Sequence, residues 1–171
     1  ASHTVDQLLI LSRTMPDAYM QDHSAIKLSD VVTECVAELV PVALEKSINL
    51  SFDNQASRCI LNGHKHALFI LVRNLVDNAI RYSYADQDVK IVIKNQNDSL
   101  ILEVIDYGPG LSDNSKKRVF ERFYREIGNS ENGSGLGLNI VQQIAKLHQA
   151  SVELLNHDTG SGLIVHLAFP L

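Results

Sequence analysis

The sequence predicts an α+β domain, an α/β sandwich in which one mixed β-sheet is covered on one face by helices. Three observations carry that reading. Residues 64–82 are strongly periodic, with Leu68, Leu71, Val72, Leu75 and Ala79 recurring at helical spacing as a buried stripe. Two apolar runs, residues 89–93 and 100–105, flank the turn sequence Asn95-Gln96-Asn97-Asp98 and form a hairpin. Residues 152–155 and 163–169 form a second hairpin, turned at Asp158-Thr159-Gly160.

The remaining elements follow in chain order. Val5-Asp6-Gln7-Leu8-Leu9-Ile10-Leu11-Ser12 reads as the end of an amphipathic helix stopping before Pro16, so the chain opens as a piece of something longer would. Residues 15–24 are polar and read as a linker, and 25–28 as a short strand. Ser29 suits an N-cap with Asp30 in the first turn, and Val32, Val36, Leu39, Val40 and Ala43 then recur at helical spacing. Residues 48–52 and 58–61 cluster or alternate like strands. Short helices are predicted over 116–123 and 138–148.

With 171 residues the chain is long enough for one domain with a sizeable core. Its net charge of −5 argues against a general nucleic-acid binder, which needs a basic surface, and makes any local basic cluster informative. No apolar run reaches the length of a membrane span and no signal peptide is visible. Cys35 and Cys59 lack CxxC spacing and read as buried free thiols, with a disulfide between them as the alternative.

Four segments carry chemistry. Asn74, Asn78 and Arg81 fall within roughly 60° of one another on a helix and edge its apolar stripe, at a rim between core and water. A carboxamide oxygen there can ligate Mg²⁺, and the Arg81 fork can pair with a phosphate; the plain alternative is a solvated helix face. The run 100–105 delivers Asp106 to a strand end. Gly108 and Gly110 then let the backbone turn and approach a ligand whose exocyclic amine the carboxylate can accept, although an ordinary turn uses the same residues. Gly133-Ser134-Gly135-Leu136-Gly137-Leu138 opens a helix, where exposed N–H groups suit phosphate. The spacing is GxGxG after a polar loop, which fails the Rossmann context, and no GK[ST] of a P-loop is present. Between the glycine runs, residues 116–125 hold five basic residues and one acidic one, and residues 126–132 read as a mobile lid; a charged surface helix plus loop is the alternative. Phe120 and Phe123 suit packing anchors, and His64 with His66 an exposed helix start rather than a metal pair.

Taken in order, these segments resemble the four boxes of sensor histidine kinases. Residues 73–82 resemble the N box, Asp106-x-Gly108-x-Gly110 the G1 box, residues 120–125 the F box and 133–138 the G2 box, the likeness covering roughly residues 25–171. The resemblance implies the Bergerat ATP-binding fold shared with Hsp90, MutL and gyrase. It implies ATP and Mg²⁺ as ligands: Asn78 on the metal, Asn74 arranging phosphates, Arg81 reaching a phosphate, Tyr82 beside the adenine and Asp106 on the adenine amine. Gly133, Gly135 and Gly137 would cradle phosphates under the lid, with Ser134, Leu136, Leu138 and Arg125 alongside. Relatives that hydrolyse ATP carry glutamate where this chain has Asn74, which fits phosphoryl transfer to a histidine instead.

Two departures stand out. The lid is short, with no second arginine between Arg125 and Gly133, so γ-phosphate contact falls to Ser134, Arg125 or backbone; and Gly63-His64 stands where relatives often show Gly-Asp. None of His3, His23, His64, His66, His148, His157 or His166 sits in the family's phosphoacceptor box. The resemblance therefore implies residues 1–20 as the tail of the dimerisation helix plus linker and 21–171 as the catalytic domain. The chain would bind Mg·ATP without phosphorylating itself. Its implied partners are its own dimerisation and phosphoacceptor domain, a response-regulator receiver domain and, in the full-length protein, a second copy, with no nucleic acid. Its implied setting is the cytoplasmic side of a bacterial inner-membrane sensor. The rival readings are an ATPase of the same fold and a degenerate, non-enzymatic docking module.

Overall fold

The computed structural model describes residues 23–121, 137–157 and 160–171. Its elements run β1 (Ser24–Lys27), α1 (Leu28–Glu45), β2 (Asn49–Asn54), β3 (Ile60–Gly63), α2 (Lys65–Tyr82), β4 (Asp88–Gln96), β5 (Ser99–Ile105), α3 (Asp113–Arg118), α4 (Gly137–Leu147), β6 (Ser151–Asn156) and β7 (Leu163–Pro170).

The main sheet has strand order β2-β4-β5-β7-β6, with only β2 and β4 parallel; β1 and β3 form a separate antiparallel pair. A parallel pair needs a crossover, and α2 lies on the connection from β2 to β4. Strand alternation then selects the buried face. Ile91, Val104 and Val165 stand in register across β4, β5 and β7, as do Ile93, Leu102 and Leu167, and all six are buried. Against them pack Leu68, Leu71, Val72 and Leu75 of α2 with Ile140, Val141 and Ile144 of α4 and Val32, Cys35 and Leu39 of α1. Each fully buried aliphatic side chain contributes roughly 1.5–3 kcal/mol, so this layer dominates the fold's stability. The opposite face carries charge: Glu103 meets Lys94 at 3.2 Å and His166 at 2.9 Å.

Among the described residues the predicted elements are present, with four corrections. Ser29 is not the cap of α1; Lys27 holds that position without a side-chain bond, while Ser29 lies inside the helix with Oγ 3.5 Å from Cys59 Sγ. Val40 is 37% exposed, because the buried seam runs through Val32, Cys35, Leu39 and Ala43, leaving Val40 about 100° away from Leu39. Helix α3 starts earlier than predicted, since the Ser112 hydroxyl accepts the Ser115 N–H at 3.1 Å and so caps it, and it ends at Arg118. The first hairpin turns on two residues, Asn97 and Asp98, with Asn97 at φ 53°, a left-handed geometry asparagine tolerates.

Both cysteines are free; Cys35 is buried, Cys59 half-buried, and burial pushes the Cys35 thiol up to about 12, which leaves it unreactive at neutral pH. Among the described residues no helix is long and apolar enough to cross a membrane. The helix predicted over residues 5–12, the linker before His23, and Asp158 and Thr159 of the last turn lie outside the described residues.

Candidate active site

Helix α2 starts where the His64 ring accepts the Ala67 N–H through Nδ1 at 3.1 Å, so His64 is a half-buried cap rather than an exposed imidazole; His66 is exposed. Ten and fourteen residues on from that cap are Asn74 and Asn78. Asn74 lies deeper than the rim its periodicity suggests: it is 2% exposed and donates from Nδ2 to the Ile70 carbonyl at 2.8 Å. Asn78 is half-buried. Both carboxamides face Gly137, the first residue of α4. A Cβ on Gly137 would lie 3.2 Å from Asn78 Nδ2 and 3.3 Å from Asn74 Oδ1. The structure thus brings together the asparagine helix and the N-terminal end of the glycine-opened helix, where backbone N–H groups and the dipole favour an anion.

Arg81 takes a local partner. Its guanidinium donates to Asp77 at 3.1 Å, one turn back on α2, and its carbonyl accepts from Lys46 Nζ. Tyr82, half-buried, closes α2, and the G1 loop rests on it: a Cβ on Gly108 would lie 2.2 Å from the Tyr82 carbonyl oxygen. Only glycine permits that approach.

Asp106 directly follows β5 and is 7% exposed. Its Oδ1 accepts two backbone N–H bonds, from Gly108 at 3.0 Å and Leu163 at 3.2 Å, leaving Oδ2 outside that pair. Burial pushes its pKa above the ordinary carboxylate value; the two N–H bonds and nearby His157 pull the other way without cancelling it. A buried carboxylate of this kind gains by meeting a donor, as an exocyclic amine would supply.

Two residues of this wall, Gly162 and His157, escaped sequence reasoning. Gly162, at φ 132°, would drive a Cβ to 2.3 Å from the Asp106 carbonyl oxygen. His157 Nε2 lies 3.0 Å from that same oxygen and its ring stacks on Tyr107 at 4.6 Å. Gly162 next to a strand start was a visible signal; the His157 contact, 51 residues away, was not. Gly110 has φ 72°, and a Cβ on it would lie 3.0 Å from the Gly162 carbonyl oxygen. Asn139 adds a further tie, donating at 2.8 Å to the Phe120 carbonyl and so joining α4 to the end of α3. Leu138 is half-buried in the first turn of α4.

Arg125, Gly133, Ser134, Gly135 and Leu136, with Phe123 and the predicted lid, lie outside the described residues. Among those described, the basic run places Lys116 and Lys117 beside a groove of ≈ 490 Å³ shared with Phe120, Val152 and Leu154, apart from Asp106 and the asparagines. Among the described residues no cluster of three or more His, Cys, Asp or Glu could hold a metal ion. The available hard oxygens near Gly137 are carboxamides, which fit Mg²⁺ when phosphate oxygens and water complete its shell.

The comparisons agree with this architecture. A family model described as histidine kinase-, DNA gyrase B-, and HSP90-like ATPase matches residues 63–171. Sensor protein QseC of Escherichia coli (strain K12) is 39% identical over 160 residues, covering 94% of this chain and 35% of the relative. Sensor protein kinase PmrB of Pseudomonas aeruginosa is 35% identical over 170 residues, covering 99% and 35%. The chain therefore spans about a third of the length of these relatives. The solved cytoplasmic segment of histidine kinase QseC superposes with a TM-score of 0.67 at 30% identity, covering 97% of this chain and 89% of that one. The chain belongs to the histidine kinase-, DNA gyrase B- and HSP90-like ATPase family, as the ATP-binding catalytic domain of a two-component sensor histidine kinase.

Proposed function

We infer that this domain holds Mg·ATP with its adenine on Asp106 and its phosphates at the N-terminus of α4, and passes the γ-phosphoryl group to a histidine on a separate dimerisation domain. The observation that carries the reading is the convergence of Asn74 and Asn78 on Gly137, with the buried Asp106 carboxylate on the neighbouring loop. In this reading the Asp106 oxygen accepts from the adenine amine, while Gly108 and Gly110 let the loop approach the base and Tyr82 lies beside it. The α4 N-terminus at Gly137 and Leu138 offers N–H groups to the phosphates, and the motif residues Gly133, Ser134, Gly135 and Leu136, with Arg125 as a further cation, would join them. Arg81 would exchange Asp77 for a phosphate or stay as the brace of α2. Asn78 would hold Mg²⁺, which supplies neutralisation of phosphate charge when bound.

Asn74 favours transfer over hydrolysis, because a carboxamide cannot take a proton from water. A neutral imidazole needs no such base, so positioning and charge stabilisation suffice. Within the whole protein, the reading implies a dimeric membrane sensor with this domain on the cytoplasmic side and a receiver-domain aspartate as the final acceptor. The test adds radiolabelled ATP to this chain, alone and with a separately made dimerisation domain of the same protein. Label on the added domain and none on the chain supports the reading. Label on the chain itself, or steady phosphate release with no transfer, overturns it.

A further inference from the structure

The end of α4 is tied to the start of α2 by one side chain. His148, directly after α4, is 5% exposed. Its Nδ1 lies 2.8 Å from the Ile144 carbonyl oxygen, and its Nε2 accepts the backbone N–H of His64 at 3.1 Å. A carbonyl only accepts and an amide only donates, so both contacts are satisfied by one species, the neutral ring with its proton on Nδ1. An imidazolium would set a donor against a donor. The surroundings are fitted to the ring: a Cβ on Gly63 would lie 2.7 Å from both Nε2 and Cδ2, His23 stacks on it at 5.5 Å, and Phe169 meets it edge-on at 6.4 Å.

The same two helices meet again at the nucleotide end, where Gly137 faces Asn74 and Asn78. Helix α4 spans 11 residues, about 16 Å, and is short enough to move as a rod. A shift at its His148 end therefore arrives at Gly137.

We propose that His148 is a positioning residue for the nucleotide site: in its neutral form it latches α4 to the start of α2 and seats Gly137 against the asparagines, and its protonation opens the latch and weakens nucleotide binding. This role rests on the reading of Gly137 as a phosphate-facing residue. The titratable groups facing the ring are His23, from the segment before β1, and His64, from the start of α2; α4 supplies the Ile144 carbonyl and β7 the Phe169 ring, neither of which titrates. Burial holds His148 below its ordinary value of 6.5, the Ile144 carbonyl opposes that, and charge on His23 or His64 adds to it. With the folded value depressed, the latch is intact above about 6.5 and is lost as pH falls through the folded value.

The test measures affinity for a non-hydrolysable ATP analogue with Mg²⁺ from about pH 8 to pH 5, on the chain and on His148→Gln, with melting curves at each pH. Glutamine keeps an acceptor at the ε position and cannot be charged. The unsubstituted chain should lose about tenfold or more in affinity on acidification while still folded, beyond any loss seen in His148→Gln, which should bind comparably at pH 8. Ring-nitrogen NMR of the unsubstituted chain needs no variant to fold: it should show the Nδ1–H tautomer of His148 at pH 8 and a midpoint coincident with the affinity loss. Parallel profiles for the two chains, or the other tautomer, overturn the role of His148 alone. Absence of binding at pH 8 by the unsubstituted chain overturns the nucleotide reading and this role with it.

Discussion

Asn78 and Gly137 meet across the α2–α4 interface so closely that a single added methyl group would stand 3.2 Å from the asparagine's Nδ2. That is tighter than ordinary contact but involves a side-chain end able to yield. Gly137→Ala should therefore leave the fold intact, since alanine is favoured over glycine in a helix by about 1 kcal/mol. The displaced carboxamide should weaken Mg²⁺-dependent ATP binding. Melting and calorimetry on the same sample separate the two: unchanged melting with unchanged binding would remove Asn78 from the site.

Asp106→Asn separates recognition from folding. A raised folded pKa means the carboxyl's contribution to stability is present below its unfolded value and lost as pH rises through the folded one, so at neutral pH the buried charge is a cost to the empty domain. Asparagine keeps the oxygen that accepts from Gly108 and Leu163. The variant should melt at or above the wild-type temperature at pH 7 without nucleotide. It should lose roughly 1.5–3 kcal/mol of ATP binding, the worth of a hydrogen bond to a charged group. A markedly lower melting temperature would make the carboxylate structural.

Gly108→Ala should behave differently, because its Cβ would meet backbone, 2.2 Å from the Tyr82 carbonyl oxygen, and backbone cannot swing aside. We expect a loss of about 1–3 kcal/mol of stability from overpacking together with weaker nucleotide binding. Urea unfolding measures the first; a wild-type midpoint would show that the loop does not lie on α2 as described.

On the far face of the sheet, burial raises the Glu103 pKa, but the bonds from His166 and Lys94 outweigh it and hold the carboxyl below 4.5. A depressed folded value gives stability that is present above the unfolded value and lost as pH falls through the folded one. Glu103→Gln should cost about 1 kcal/mol at pH 7, and the gap from wild type should close on acidification below about 4.5. A gap independent of pH would mean that the charge on Glu103 contributes nothing.

Much of this was legible in the sequence because periodicity reports burial directly. The stripe Leu68–Leu71–Val72–Leu75–Ala79 became the buried face of α2, and the two apolar runs before Asp106 became adjacent strands. Motif order marked Asn74, Asn78 and Asp106, and the structure sets both asparagines against Gly137. What stayed hidden depends on contacts distant in sequence. The depth of Asn74 comes from α4 packing over it, the Asp106 wall from Gly162 and His157, and the His148 latch from a β3–α2 junction 84 residues away. Cap choice also misled: a serine beside a strand end invites a capping assignment, yet Ser29 turned inward towards Cys59.

The most direct measurement of the central claim is calorimetric titration of this chain with a non-hydrolysable ATP analogue, with and without Mg²⁺, beside Asp106→Asn and Asn78→Ala. Binding by the unsubstituted chain is expected, weakened by roughly 1.5–3 kcal/mol in Asp106→Asn and without its Mg²⁺ dependence in Asn78→Ala. Equal binding by all three chains, or none by the unsubstituted one, would contradict that claim.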